Sequence, residues 1–279
     1  MNPQARVCIL GNSHLAALRD AWSEHSEKFP DLVPTWFGAS RDQLGNMVAR
    51  KGLLRPKTQR LAESLKWTSG GLEFIDPRNY DAFVIVGLGP SFTAAARIYR
   101  AFRTSAQSQD PKPRYLISQA AYHAAIDGQV VSSVALVLAG LIRSLTGAPI
   151  FVISDPLPAE NALESRERAL WSQLLATGDG AKLLSQFLRL TSTRVQELPA
   201  TYIEQPEQTR AQQMFSRDDL RRGAARMRED GDIAFTDEDY GHLGPEYGLV
   251  MLRELEQRIL GERADVVETE PSLAPVLAD

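Results

Sequence analysis

The run Val7-Cys8-Ile9-Leu10 passes without interruption into Gly11-Asn12-Ser13-His14 and then into Leu15-Ala16-Ala17-Leu18-Arg19-Asp20-Ala21-Trp22. Four consecutive apolar residues closed by a glycine make a short strand buried on both faces, the kind found in sheets with helices on each side. Ser13 therefore stands where a strand hands over to the first turn of a helix. Free backbone N–H groups point outward there and favour negative charge. A hydroxyl in that place can attack a carbonyl while its own N–H holds the oxyanion that forms. It can equally be a helix N-cap, a role serine fills often. This stretch alone does not separate the two.

The rest of the chain repeats the strand-then-helix rhythm. Leu32-Val33-Pro34-Thr35-Trp36-Phe37 predicts a second strand, at a sheet edge because of Pro34. Ala82-Phe83-Val84-Ile85-Val86, Tyr115-Leu116-Ile117 and Ile150-Phe151-Val152-Ile153 supply three more, and Val195-Gln196-Glu197-Leu198 a last short one. Strands alternating with helices predict an α/β three-layer sandwich around a mostly parallel, flavodoxin-like five-stranded sheet. The carboxyl ends of these strands collect small and polar residues, and ligands bind at that edge in open α/β sheets. Among the helices, Ser91 is placed to cap one, Val130–Leu145 forms one apolar helix, and two more run around Gly178-Asp179-Gly180. Ser216-Arg217-Asp218-Asp219 resembles a capping box. Residues 1–261 are expected to form one domain. Residues 41–74 would be an inserted flap ending in a hairpin at Gly70-Gly71, and the acidic tail 262–279 would be disordered.

Composition narrows the function classes. The charged share is 24% and the net charge -4, which argues against nucleic acid as the main partner. The single Cys8 allows no internal disulfide and reads as a small core residue. No apolar run reaches membrane-spanning length and no leader pattern opens the chain, so no membrane partner and a cytoplasmic location are expected. The histidines show no metal-ligand spacing, so neither a metal nor another cofactor is expected. One electrostatic imbalance stands out. Residues 41–66 carry Arg41, Arg50, Lys51, Arg55, Lys57, Arg60 and Lys66 against Asp42 and Glu63. This is a solvated helix face or a flap toward an anionic substrate.

A second motif lies near the other end, in Asp239-Tyr240-Gly241-His242-Leu243-Gly244-Pro245. Asp239 and His242 are spaced so that the carboxylate can turn back onto the imidazole, fix its tautomer and stabilise its charged form. Pro245 suits the start of a helix, Gly261 its end, and Leu252, Leu255 and Ile259 its buried stripe. Asp155, at a strand end, competes for the same acid role but has no histidine nearby in sequence.

Together the two motifs resemble the SGNH hydrolases, the GDSL-type esterases and lipases. In residue type, order and distance from the chain ends, Ser13 matches that family's nucleophile and Asp239 and His242 its D-x-x-H pair. The resemblance implies a serine esterase that removes acyl groups, acetyl among them, from a carbohydrate or other polar ester. Acyl transfer to a glycan and a catalytically silent binding protein are the alternatives. It further implies that Gly38 and the Ser13 N–H hold the oxyanion. The family's third block reads G-x-N-D, whereas this chain has Gly87-Leu88-Gly89-Pro90, with glycine in place of the asparagine donor. Asn12, Ser91 and Asn46 are the candidate replacements, Ser91 first, and His14 either contacts substrate or sits in the helix's first turn.

Overall fold

The structure, a computed structural model, describes residues 4–269. Five strands form the central sheet: β1 (Ala5–Gly11), β2 (Leu32–Gly38), β3 (Ala82–Val86), β4 (Ile150–Ile153) and β5 (Thr201–Ile203), in the order β2-β1-β3-β4-β5. All four neighbouring pairs are parallel. Alternation along the strands decides the layers. Val7 and Ile9 of β1 pack into one core with α1 (Leu15–His25) and α8 (Pro245–Thr269). Cys8 and Leu10 face the opposite core. That second layer is built by α2 (Gln59–Ser69), α3 (Phe92–Ala101), α4 (Gln119–Val131), α5 (Val134–Arg143), α6 (Arg168–Ala176) and α7 (Asp179–Gln196). The molecule is thus a three-layer α/β sandwich. After β1 the chain goes to β2 on one side and returns to β3 on the other, so the carboxyl end of β1, where Ser13 lies, borders the switch point where ligands of such sheets bind.

Several local expectations are corrected. The fifth sheet strand is Thr201–Ile203; Tyr115–Leu116 pairs only with Phe102–Arg103, outside the main sheet. Tyr115 and Leu116 are exposed, so they offer no face to two helical layers. Val195 and Gln196 end α7 instead of forming a strand. Gly70-Gly71 is not a hairpin turn. Gly70, at φ +75°, ends α2 in the left-handed conformation that glycine adopts without steric cost, and the Gly71 N–H closes back on the Lys66 carbonyl. The hairpin of this region lies earlier, pairing Met47–Arg50 with Leu53–Pro56. Residues 41–74 thus hold that hairpin and α2, whose Leu61 and Leu65 are buried in the core. The helix expected over Val130–Leu145 is broken at Ser132-Ser133, because the Ser133 hydroxyl accepts from the Leu136 N–H and starts α5 afresh. Ser216 is a buried strand residue whose hydroxyl donates to the Leu157 carbonyl, so it caps nothing. Gly261 lies inside α8, which continues through 262–269; the remainder of the expected disordered tail lies outside the described residues. Among the described residues no single helix is long and apolar enough to cross a membrane.

Candidate active site

The Ser13 turn and the His242 loop are brought together by two helices that share one core. Helix α1 follows Ser13 directly, and α8 follows His242. Their backbones approach closely at Gly248, where a Cβ would lie 1.9 Å from the Ala17 carbonyl oxygen. Leu252, Leu255 and Ile259 of α8 are buried beside Leu15, Leu18 and Ala21 of α1. Two residues 229 positions apart in the chain thereby meet. The Ser13 Oγ lies 2.8 Å from His242 Nε2. His242 Nδ1 lies 3.0 and 3.1 Å from the two oxygens of Asp239.

Asp239 is held for this contact. Its Oδ1 also accepts from the backbone N–H groups of Gly241 and His242, each at 2.9 Å. Burial on its own would raise the Asp239 carboxyl; the hydrogen bond and charge of His242, with these two N–H groups, outweigh it and hold the pKa below the usual value. The loop backbone is clamped from outside. Asn161 Nδ2 donates to the carbonyls of Asp237 and Asp239, as does the Arg221 guanidinium. Tyr240, between Asp239 and His242 in the chain, donates its hydroxyl to Glu167 at 2.5 Å, and Glu167 is in turn paired with Arg97 and Arg100.

Two rings lie against the His242 imidazole. Phe235 stacks on it at 3.8 Å between centroids and 10° between planes, and His14 at 4.8 Å and 25°. The His14 ring is only 12% exposed, and its Nε2 lies 3.6 Å from Asp155 Oδ1. Burial pushes its pKa down to about 4, against the pull of Asp155 and with a further push from His242. His14 is therefore a neutral ring at pH 7, stacked on the His242 imidazole. Asp155 is not the partner of His242; it lies beside His14 and accepts from the Gly89 N–H, next to the loop after β3.

The expected oxyanion donors fare differently. The Ser13 N–H has no acceptor among the described residues, and the Ser13 hydroxyl makes no N-cap bond, since it faces His242. Gly38, in contrast, donates its N–H to Thr68 Oγ1 at 2.9 Å, because α2 sets Thr68 at the end of β2. Gly87 donates to the Ile153 carbonyl and Gly89 to Asp155 Oδ1. Asn12 turns its Oδ1 to the His14 N–H at 3.1 Å, so it stabilises the turn that presents Ser13. Ser91 lines a cavity of about 300 Å³ with Pro90, Gln129, Ser133 and Phe187, whose walls include neither Ser13 nor His242. Asn46 is exposed in a short turn before the hairpin. Among the described residues no cluster of histidine, cysteine and carboxylate side chains could hold a metal ion.

Sequence reasoning did not single out Phe235, Asn161, Arg221, Glu167 or Thr68. Only Phe235 carried a signal, as an aromatic in a polar stretch just before the histidine motif. Comparison with known protein families, with characterised proteins and with solved structures gives no match.

Proposed function

We propose that this chain is a serine ester hydrolase of the SGNH type, removing an acyl group, acetyl being the simplest case, from a carbohydrate or other polar ester. The observation that carries the proposal is the hydrogen-bonded chain Ser13 Oγ, His242 and Asp239 at the switch point of the sheet. A hydroxyl within 3 Å of an imidazole whose far nitrogen is held by a carboxylate is the arrangement that activates a serine. Ser13 Oγ would attack the ester carbonyl while His242 Nε2 takes its proton. The Ser13 N–H would face the oxygen that gains charge. His242 would then return the proton to the departing alcohol, and a water activated by the same nitrogen would release the acid. Asp239 stays ionised throughout, in keeping with its lowered pKa. Transfer of the acyl group to a sugar hydroxyl in place of water uses the same residues.

A silent binding protein is the second reading. It is favoured by the commitment of the Gly38, Gly87 and Gly89 N–H groups to other acceptors. A fluorophosphonate probe separates the two, since only an activated serine reacts with it. Labelling of the parent and none of Ser13→Ala supports the hydrolase; an unlabelled parent supports the silent protein. The N-cap of α1 is His14, and the Ser13 hydroxyl contacts only His242 among the described residues, so Ser13→Ala should stay folded.

A further inference from the structure

The segment between Ala224 and Phe235 forms a small hairpin pairing Ala225–Arg226 with Ile233–Ala234. Three contacts seat it on the site. Phe235 stacks on His242, Met227 occupies the space beside Gly38, and Asp232 is bound by Arg19 of α1. Arg226 lies over the same Phe235 ring, its guanidinium carbon 5.3 Å from the centroid. Separations of 3.8 and 5.3 Å along this stack place the guanidinium within about 9 Å of the His242 imidazole. Arg226 is exposed, and among the described residues no carboxylate pairs with it. Arg19, Arg97, Arg194 and Arg221, by comparison, are each tied to an acid.

We propose that Arg226 recognises an anionic group, a carboxylate or a phosphate, on the ester that Ser13 attacks. The proposal rests on the hydrolase reading of the same site. An aromatic ring beneath a guanidinium fixes its plane and leaves its N–H fork free, and that fork matches carboxylate and phosphate oxygens in pairs. The two contacts with Phe235 keep the guanidinium no more than about 9 Å from the base. A substrate whose charge lies about one ring's length from its ester group spans the gap. Anion recognition so placed does not need the basic residues of 41–66, of which Lys66 pairs with Glu73.

The test compares three acetate esters of similar size: neutral phenyl acetate, 4-acetoxybenzoate and 4-acetoxyphenyl phosphate. The parent should favour at least one anionic ester over phenyl acetate by about tenfold in kcat/KM, the usual worth of a charge-assisted contact. Which anion is favoured identifies the source. Arg226→Ala should bring that ratio close to one and Arg226→Glu below it, and the parent's preference should fade between 0.05 and 0.5 M salt as exposed charges are screened. An unchanged ratio in both variants overturns the proposal. If no ester is cleaved and no probe reacts with Ser13, the hydrolase reading fails, and calorimetric binding of 4-acetamidobenzoate decides the anion site separately. Binding to the Ser13→Ala protein that weakens tenfold or more on adding Arg226→Ala upholds it. Equal affinity with and without Arg226, or no binding, overturns it.

Discussion

His14 ties stability to pH in a way that a single substitution can isolate. Burial beside His242 lowers its pKa from 6.5 to about 4. The unfolded chain, with an ordinary histidine, binds a proton as the pH falls through 6.5, whereas the folded protein does not until about 4. Stability must therefore fall with decreasing pH across that window, because the unfolded state there holds the extra proton. A shift of about 2.5 units at 1.36 kcal/mol per unit gives a loss of about 3 kcal/mol between pH 7 and pH 4. The carboxylates with lowered pKa, Asp239, Glu167, Asp127 and Asp76, act in the same direction at lower pH. Their contributions are present above the unfolded carboxylate values and are lost as the pH falls through their folded ones. Replacing His14 by Phe keeps a ring against His242 and removes the titrating group. Urea unfolding of both proteins at constant ionic strength, in steps from pH 7.5 to pH 4, measures the difference. The parent should lose about 3 kcal/mol more than His14→Phe over this range, the gap opening just below pH 6.5. Parallel curves would refute the burial argument, since a solvated His14 would titrate alike folded and unfolded.

The α1–α8 contact predicts opposite effects for two glycines of one helix. Gly248→Ala places a methyl against the Ala17 carbonyl and should cost about 1–3 kcal/mol or more in urea unfolding, with weaker probe labelling as Ser13 and His242 separate. Gly261→Ala, which meets nothing within 4 Å, should stabilise by about 0.5–1 kcal/mol through helix propensity. Tyr240→Phe removes the hydroxyl that Glu167 accepts and should lower stability by about 1–2 kcal/mol, with kcat falling more than KM changes, as steady-state kinetics will show.

What was legible in the sequence is what short-range order determines. Ser13 is placed by a strand ending in glycine, and Asp239 reaches His242 across a three-residue spacing, so neither depends on distant packing. Val7–Leu10, Ala82–Val86 and Ile150–Ile153 are apolar throughout because both faces are covered, and they were identified for that reason. Strand β5 escaped because it has three residues and sits at the sheet edge, where only the neighbouring β4 marks it as a strand. Gly70-Gly71 misled because a left-handed glycine ends a helix as readily as it turns a hairpin. The hairpin carrying Arg226 has two-residue strands, too short for any period. Thr68 was hidden by the same error as Gly70, and with it the reason why the Gly38 N–H is occupied.

The loop after β3 bears on how the oxyanion is met. The SGNH hydrolases that this chain resembles carry an asparagine where it has Gly89, and under the proposed hydrolase reading an asparagine placed there looks like a route to faster turnover. The backbone argues otherwise. Gly89, at φ +61°, would aim a Cβ at Ser133, 3.2 Å away, on the wall of the cavity that Ser91 lines. The position that faces the nucleophile turn is Gly87, where a Cβ would meet Asn12 Oδ1 at 2.6 Å and the His14 ring at 2.8 Å. No side chain fits there without displacing both. Gly89→Asn should therefore fold, since asparagine tolerates left-handed backbone, and its amide should enter the Ser91 cavity. The expected outcome is kcat within about twofold of the parent, against the 100- to 1000-fold that a genuine oxyanion donor contributes. A tenfold or greater rise in kcat would show that the Gly89 side of the loop faces the reacting carbonyl, and the assignment of the oxyanion to the Ser13 N–H would have to be abandoned.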